Sequence, residues 1–206
     1  MNGDQLRTRI ILARHGEAAY PSPATEETRG GVLTELGQEQ ARALAARIRD
    51  ERVTAVVSSE LSRARETARI VAHELGLEPV TRPGLHEYEQ GDEPFDVLSV
   101  GRTLLGWLAG DLDARILGGE SGCEIVQRTM PVLEGLARSH AGETVLVVIH
   151  GGAIIATLGG VAPGRTGLPS DGDPYRLESD LVGGSSFCLE RAEGSWRMLP
   201  PGAPTA

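Results

Sequence analysis

The stretch that decides the fold is T-R-I-I-L-A-R-H-G-E, residues 8–17. Its first part, Thr8 to Leu12, is short, largely apolar and rich in β-branched residues, which is typical of a buried strand. The polar end Arg14-His15-Gly16-Glu17 follows at the carboxyl end of that strand, where ligands bind in open α/β sheets. An arginine beside an imidazole, with a glycine that lets the backbone turn, suits the binding and attack of an anionic phosphoryl group. For this tetrapeptide alone, the alternative is a surface arginine with an incidental histidine.

A second stretch of the same kind lies far away in the sequence. Residues 144–149, T-V-L-V-V-I, are apolar throughout, as expected of a strand buried on both faces of a parallel sheet. They too end in a histidine followed by a glycine, His150 and Gly151. If both strands are central in one parallel sheet, the imidazoles of His15 and His150 emerge side by side at the same edge.

The sequence between these two stretches alternates between apolar strands and amphipathic helices. A helix capped by Thr34 is predicted to run to about residue 51, a buried strand to span 53–57, and a second helix to span 61–75 and end at Gly76. This alternation predicts a three-layer α/β/α sandwich with a mostly parallel central sheet. The apolar face of the first helix is formed by Leu36, Leu44 and Ile48.

The later part of the chain is less regular. Residues 92–119 have a fragmented helical pattern, and we interpret them as a helical insertion that packs over the sheet as a lid. Ser121 and Glu124 form a capping box for a helix to about residue 139, which Pro131 is expected to kink or interrupt.

The rest of the chain consists of loops, connections and one further strand. The whole chain, residues 1–206, is expected to form a single domain. Residues 185–190 are predicted to form the last strand. The segments predicted to lack regular structure are the polar loop 18–32, the connection 77–85, the glycine- and proline-rich loop 159–184, and a mobile tail over 200–206.

Composition restricts the kinds of function. A net charge of -9 argues against nucleic acid or an anionic membrane surface as the main partner. All 20 basic residues are arginine, so no mechanism can use a lysine Schiff base or a P-loop lysine. Cys123 and Cys188 lack metal-ligand spacing, and with no signal peptide upstream a reduced pair in a cytoplasmic protein is expected. No apolar run is long enough to cross a bilayer.

Several more side chains are predicted to meet at the sheet edge. Arg63 lies in the first turn of the second helix, just beyond the strand 53–57, and Glu87 follows the turn into the next segment. Two arginine forks, two imidazoles and glycine N–H groups can surround a phosphate dianion with charge-assisted hydrogen bonds. A nearby carboxyl group could then donate a proton to a leaving oxygen.

At this point the sequence resembles the histidine phosphatase superfamily, also called the phosphoglycerate mutase-like family. The resemblance spans roughly residues 10–187, in widely spaced blocks. Any one block is a weak signal, whereas all of them in the family's order are highly specific. The blocks are Arg14-His15-Gly16-Glu17, Leu33-Thr34 with Leu36-Gly37 and Gln40-Ala41, Ser58-Ser59 with Leu61, Arg63-Ala64 and Thr67-Ala68, Leu85 and Glu87 with Gly91, Gly119-Glu120-Ser121 with Arg128, and His150-Gly151.

The resemblance implies a role for each site residue. His15 would be the nucleophile that forms a phosphohistidine, and Glu87 the general acid that then becomes the base for water. Neutral imidazole is a competent nucleophile near pH 7, and two displacements have lower barriers than one. The resemblance implies a small phosphorylated substrate, no metal and no cofactor. The groups implied to bind the phosphoryl oxygens are Arg14, Arg63, His150 and the backbone of Gly151.

The chain departs from the family's pattern in two places. Members often have a hydroxyl residue and an asparagine where this chain has Ala18 and Pro21. Mutases typically have Glu-Arg-His-Tyr-Gly at the acid and an adjacent arginine pair, whereas residues 87–91 read E-Y-E-Q-G and the sequence contains no Arg-Arg dipeptide. We therefore expect a metal-independent phosphomonoesterase, a phosphoric monoester hydrolase. The alternatives are a phosphoglycerate mutase-type isomerase and a non-catalytic phosphoryl-binding protein.

Overall fold

The chain forms a central sheet with helices on both of its faces. The structure is a computed structural model that describes residues 7–20, 30–164, 181 and 183–200. Within these residues the strands are β1 (Thr8–Arg14), β2 (Ala18–Ala19), β3 (Val32–Leu33), β4 (Val53–Ser58), β5 (Pro79–Thr81), β6 (Thr144–Ile149), β7 (Ser186–Ala192) and β8 (Ser195–Leu199). The α-helices are α1 (Glu35–Arg47), α2 (Ser62–Leu75), α3 (Val97–Ala109), α4 (Gly122–Ser139) and α5 (Gly151–Val161). Short 3-10 turns lie at Arg49–Glu51 and Ile116–Gly118.

The main sheet has the strand order β5-β4-β6-β1-β7-β8. The four strands β5, β4, β6 and β1 are parallel to one another, whereas β7 and β8 add an antiparallel hairpin beside β1. A small second sheet pairs β2 with β3. The mostly parallel α/β architecture predicted from the sequence is confirmed.

The central strand β1 is apolar on both sides because each side faces a layer of helices. Ile10 and Leu12 pack in one cluster with side chains of α3, α4 and α5, whereas Ile11 and Ala13 pack in a second cluster with side chains of α1 and α2. All four side chains are at most 4% exposed. Burial of each isoleucine or leucine stabilises the fold by roughly 1.5–3 kcal/mol. A strand with two buried faces reads as a continuous apolar run, which is why the sequence predicts it well.

The insertion 92–119 is built around α3, which packs against α5. Trp107 of α3 is fully buried, and its Nε1–H donates to the carbonyl oxygen of Ala114 at 2.8 Å. At Gly159 the two helices approach so closely that a Cβ atom would lie 1.8 Å from the carbonyl oxygen of Trp107. The insertion is therefore part of the hydrophobic core, and its action as a lid stays a prediction.

Three short strands, β2, β3 and β5, were not predicted from the sequence. The loop 18–32 was expected to be irregular, yet β2 and β3 pair at its two ends, and the connection 77–85 contains β5. Two- and three-residue strands carry no detectable period, and β5 begins with Pro79 at the edge of the sheet, where a missing N–H is tolerated. After the predicted last strand, the chain turns back to form β8. Residues 21–29, most of the loop 159–184 and the tail beyond residue 200 lie outside the described residues.

Two details of the helices also differ from expectation. Leu36 is 48% exposed rather than part of the buried face of α1. The helix α4 continues through Pro131 without interruption. Pro131 leaves only the carbonyl of Gln127 without its helical partner, and both residues lie on the exposed side of α4, where that carbonyl is accessible to solvent. No helix in the described part of the chain is long and apolar enough to cross a membrane.

Candidate active site

The register of β1 and β6 brings the two histidines together. Arg14 lies opposite Ile149 in the parallel pair, and the backbone N–H of His15 donates to the carbonyl oxygen of Ile149 at 3.0 Å. The ring centroids of His15 and His150 are consequently 5.1 Å apart, with an interplanar angle of 58°. His15 is 5% exposed and His150 is fully buried. The juxtaposition predicted from the two strand-histidine-glycine endings is confirmed.

Hydrogen bonds determine which nitrogen of His15 carries the proton. Nδ1 lies 2.7 Å from the carbonyl oxygen of Gly16. Because a carbonyl oxygen only accepts, Nδ1 is the protonated nitrogen, and Nε2 keeps its lone pair. That lone pair accepts a hydrogen bond from Nε of Arg63 at 3.0 Å. Nε2 is thus the nucleophilic atom, and a guanidinium group lies directly beside it.

The surroundings of His15 also keep the ring uncharged. Burial lowers the pKa of His15 to about 3, the positive charges of Arg63 and Arg14 contribute in the same direction, and the hydrogen bond to Gly16 opposes them in part. Desolvation and like charge both disfavour the imidazolium form. At neutral pH the nucleophilic lone pair of His15 is therefore available without prior removal of a proton.

Close backbone packing fixes the turn that follows β1. A Cβ atom at Gly16 would lie 2.2 Å from the carbonyl oxygen of Gly37, and a Cβ atom at Gly37 would lie 2.0 Å from the carbonyl oxygen of Glu17. The N–H of Gly16 donates to Oγ1 of Thr67 at 3.0 Å, and the N–H of Glu17 donates to Oε1 of Gln40 at 2.7 Å. The turn is thereby attached to both α1 and α2, so His15 has little freedom to move.

His150 is held by Ser59, the residue that directly follows β4. Its Nε2 lies 2.9 Å from Oγ of Ser59, which also accepts the N–H of Leu61 at 3.2 Å. The hydroxyl proton of Ser59 can be donated to Nε2, which leaves the proton of His150 on Nδ1. Within the described residues Nδ1 has no hydrogen-bond partner although it is buried. Burial first, then the neighbouring His15 and Arg63, hold the pKa of His150 well below its usual value.

Arg63 and Arg14 supply positive charge on either side of the histidines. Arg63 is 2% exposed, donates from Nη1 to the carbonyl oxygen of Gly30, and lies 5.6 Å from the centroid of the Tyr20 ring. Arg14 donates from Nη1 to the carbonyl oxygen of Leu181. Gly151 begins α5 beside Arg14, since a Cβ atom at Gly151 would lie 3.6 Å from Nε of Arg14.

Glu87 joins this group through the N-terminus of α5. Its carboxylate accepts hydrogen bonds from the backbone N–H groups of Gly152 at 3.3 Å, Ala153 at 3.1 Å and Tyr88 at 3.0 Å. His150 occupies the N-cap position of α5 but makes no capping bond with its side chain. Glu87, from a segment distant in sequence, therefore caps the helix that begins beside His150.

All six residues chosen from the sequence thus lie around one edge of the sheet: Arg14, His15, Arg63, Glu87, His150 and Gly151. Pro21 lies outside the described residues, and Ala18 belongs to β2. Among the described residues no group of three His, Cys, Asp or Glu side chains is placed to hold a metal ion. The sequence analysis assigned no role to Ser59, Thr67, Gln40, Glu120 and Arg128, although all five belong to the blocks that carry the family resemblance.

The comparison with known families agrees with this geometry. The sequence model of the histidine phosphatase superfamily (branch 1) matches residues 10–166. The chain belongs to the histidine phosphatase superfamily. Its matched region begins inside β1 and ends just beyond α5, so it contains every histidine, arginine and carboxylate of the candidate site.

Relatives within the superfamily include both mutases and phosphatases by name. The chain is 34% identical over 163 residues to "probable phosphoglycerate mutase GpmB" of Yersinia pestis, an alignment that covers 74% of this chain and 75% of the relative. The solved structure of a mycobacterial glucosyl-3-phosphoglycerate phosphatase superposes with a TM-score of 0.68 at 25% identity and covers 93% of this chain and 97% of that one. YhfR of Bacillus stearothermophilus superposes with a TM-score of 0.67 at 26% identity, covering 95% and 96%.

Proposed function

We propose that this histidine phosphatase family member is a metal-independent phosphomonoesterase that acts on a small phosphorylated metabolite through a phosphohistidine. The observation that carries the proposal is the state of His15. Its ring is neutral, its Nδ1 proton is bound by the Gly16 carbonyl, and its Nε2 lone pair lies 3.0 Å from the cationic side chain of Arg63. This arrangement combines a nucleophile with a cation that attracts the phosphoryl group toward it.

In the first step, Nε2 of His15 attacks phosphorus and the ester oxygen leaves. The bond from nitrogen to phosphorus forms as the bond from phosphorus to the ester oxygen breaks, and the leaving oxygen takes a proton from Glu87. For this step Glu87 must hold a proton until the leaving oxygen takes it. The His15 ring becomes positively charged, and the Gly16 carbonyl stabilises that charge through Nδ1–H.

In the second step, water attacks phosphorus and the bond to Nε2 breaks. Glu87, now a carboxylate, takes a proton from the water, and His15 returns to its neutral form with its proton still on Nδ1. Free phosphate is the product. Throughout both steps the two guanidinium groups, Arg14 and Arg63, and the buried Nδ1–H of His150 would stabilise the phosphoryl oxygens. These cations supply a local positive potential in a chain whose net charge is -9.

Phosphoglycerate mutase activity is the second candidate, because the Yersinia relative is named as a mutase. The residue after the acid argues against it. Tyr88 stands where mutases typically have an arginine; it is 8% exposed, and its ring packs edge-on against Trp107 at 6.4 Å. A tyrosine buried in the core supplies no cation for the carboxylate of a phosphoglycerate. This supports a phosphatase whose product is free phosphate.

A screen of phosphorylated metabolites in the presence of EDTA tests the proposal. We expect hydrolysis of at least one phosphate monoester, with no turnover by His15→Ala, and free phosphate should accumulate faster than any positional isomer. Full activity of His15→Ala, or a strict requirement for added metal, would contradict the assigned nucleophile. Rapid isomerisation of phosphoglycerate with little release of phosphate would favour the mutase instead.

A further inference from the structure

The segment that carries Glu87 is held by Arg128, a largely buried arginine of α4. Nε and Nη2 of Arg128 donate to the two carboxylate oxygens of Glu120 at 2.7 and 3.0 Å. Nη1 donates to the carbonyl oxygens of Gly84 at 3.0 Å and His86 at 2.8 Å, and Nη2 donates to that of Glu87 at 3.3 Å. A guanidinium group has five N–H donors, so these five bonds use all of them.

Glu120 extends this attachment to the other side of Glu87. Its Oε2 accepts the backbone N–H of Glu89 at 3.2 Å, and its own backbone N–H donates to the carbonyl oxygen of Glu89 at 2.9 Å. Close packing adds to these bonds, because a Cβ atom at Gly119 would lie 2.2 Å from the same carbonyl oxygen. Glu87 is therefore flanked on both sides by residues bonded to the Arg128–Glu120 ion pair.

The attachment matters because the segment has no regular structure of its own. Residues 82–96 form neither helix nor strand. In a helix or strand these backbone carbonyl groups would bond to backbone N–H groups. Here the carbonyls of Gly84, His86 and Glu87 bond to the guanidinium group of Arg128 instead. A general acid must lie within hydrogen-bond reach of the oxygen that it protonates, and an irregular segment does not ensure this without external support.

We propose that the Arg128–Glu120 pair is a positioning device for Glu87, required for proton transfer to the leaving oxygen but not for phosphate binding. The proposal rests on the function assigned to Glu87 above. The hydrogen bonds of Arg128 reach only Glu120 and the segment that carries Glu87, so its fork of donors acts through that segment. Its positive charge also helps to lower the pKa of His150, and a lysine at this position keeps that charge. Its side chain is 16% exposed and that of Glu120 is 13% exposed, which protects the pair from competing water.

The variant Arg128→Lys tests this positioning. Lysine keeps the positive charge, but its single ammonium group has three donors and cannot replace a planar fork with five. We expect the phosphorylation step, measured by rapid quench as alcohol release in the first turnover, to slow by about 10- to 100-fold on an alkyl phosphate. On p-nitrophenyl phosphate, whose leaving group needs no proton, the burst should slow by less than about threefold.

The chain offers a matched control in Arg115, whose ion-pair partner Glu124 lies on the same helix as Arg128. Arg115 also forms a two-bond ion pair, with Nη1 and Nη2 donating to the carboxylate of Glu124 at 3.0 and 2.9 Å, but this pair is about half exposed and bonds no residue of 84–89. Arg115→Lys should leave both bursts unchanged. Glu120→Gln, which preserves side-chain shape, should repeat the Arg128→Lys pattern with a smaller loss and serves if the lysine variant fails to fold.

A structural measurement separates failure of this proposal from failure of the proposed function. The backbone N–H groups of Gly152 and Ala153 report the place of Glu87, because both donate to its carboxylate. In amide NMR spectra, Arg128→Lys should move these two signals toward their positions in Glu87→Ala, whereas Arg115→Lys should not. Unmoved signals would overturn the positioning role, whatever the enzyme's activity.

Epistasis provides the second decisive result. In a Glu87→Gln background, Arg128→Lys should cause no further loss on the alkyl phosphate, because the variant keeps the positive charge and the proton donor that it would misplace is already removed. A further loss, or equal losses on both substrates in the single variant, would mean that Arg128 supports the phosphate site or the fold, and the proposal would be wrong. If Glu87→Gln itself had no effect on the alkyl phosphate, the acid assignment would fail, while the amide signals would still decide whether Arg128 positions Glu87.

Discussion

Glu87 has two roles, and its substitution by alanine would remove both of them at once. It is the proposed proton donor, and its carboxylate also caps α5 by accepting the N–H groups of Gly152 and Ala153. Replacement of a helix cap by alanine costs about 0.5–2 kcal/mol of stability. Glutamine keeps an oxygen that can accept these bonds but cannot deliver a proton to a leaving alkoxide, so Glu87→Gln separates the chemistry from the structural role.

The prediction for Glu87 depends on the leaving group. With Glu87→Gln, the phosphorylation step should slow by about 10² to 10⁴ on an alkyl phosphate, whose alkoxide is strongly basic, and much less on p-nitrophenyl phosphate. Both rates are to be read from the first turnover, because the same residue should activate water in the second step. The free energy of unfolding should change less than in Glu87→Ala. Equal losses on the two substrates would assign Glu87 to phosphate binding rather than to acid catalysis.

At the scale of elements, the N-terminus of α5 tolerates no side chain where it meets the acid segment. A Cβ atom at Gly152 would lie 2.4 Å from a ring carbon of Tyr88 and 2.8 Å from Oε1 of Glu87. Tyr88 is packed against Trp107 and cannot withdraw without opening the core. The absence of a side chain at Gly152 is therefore what allows α5 and Glu87 to approach.

Gly152→Ala should consequently impair both stability and activity. We expect the free energy of unfolding to fall by about 1–3 kcal/mol, as for other overpacked cores, and turnover of an alkyl phosphate to fall at least about tenfold because Glu87 is displaced. Gly135→Ala on α4 is the control: no atom lies within 4 Å of its Cβ position, so it should keep full activity and gain up to about 1 kcal/mol in stability. Full activity of Gly152→Ala would show that the segment carrying Glu87 adjusts freely.

How much the sequence predicted depends on how each element is buried. β1 and β6 are buried on both faces and read as continuous apolar runs, so their adjacency, and with it the pairing of His15 and His150, followed from the sequence. β8 is only partly buried at the edge of the sheet and has no clear pattern. Arg128 bonds main-chain carbonyls, which every residue has, so no pattern of side chains could indicate its partners.

At the scale of the whole molecule, the two buried histidines make stability depend on pH. The pKa of His15 is lowered to about 3 and that of His150 lies well below its usual value, chiefly through burial, whereas an unfolded histidine has a pKa near 6.5. The unfolded chain therefore binds more protons than the folded chain below that pH. Their stabilising contribution is fully present above about pH 6.5 and is lost as the pH falls toward the folded values.

Urea unfolding between pH 7.5 and pH 5 measures this effect. The free energy of unfolding should fall as pH decreases below 6.5, with a slope of up to about 1.4 kcal/mol per pH unit for each of the two histidines. The double variant His15→Asn/His150→Asn should show a shallower slope, and His73→Asn, at an exposed position of α2, should match the wild-type slope. An unchanged slope in the double variant would mean that other groups cause the pH dependence.

The position of β1 in the sheet also has a consequence for protein synthesis. Among the described strands β1 is synthesised before the others, yet its neighbours β6 and β7 begin only at Thr144 and Ser186. A nascent chain that ends before residue 186 already contains the apolar strand β1 but lacks β7, which covers one of its edges. Such an unpaired edge is a template for aggregation. β1 can therefore reach its final surroundings only after β6 and β7 have been synthesised, and a nascent chain of this protein should need shielding by chaperones until then.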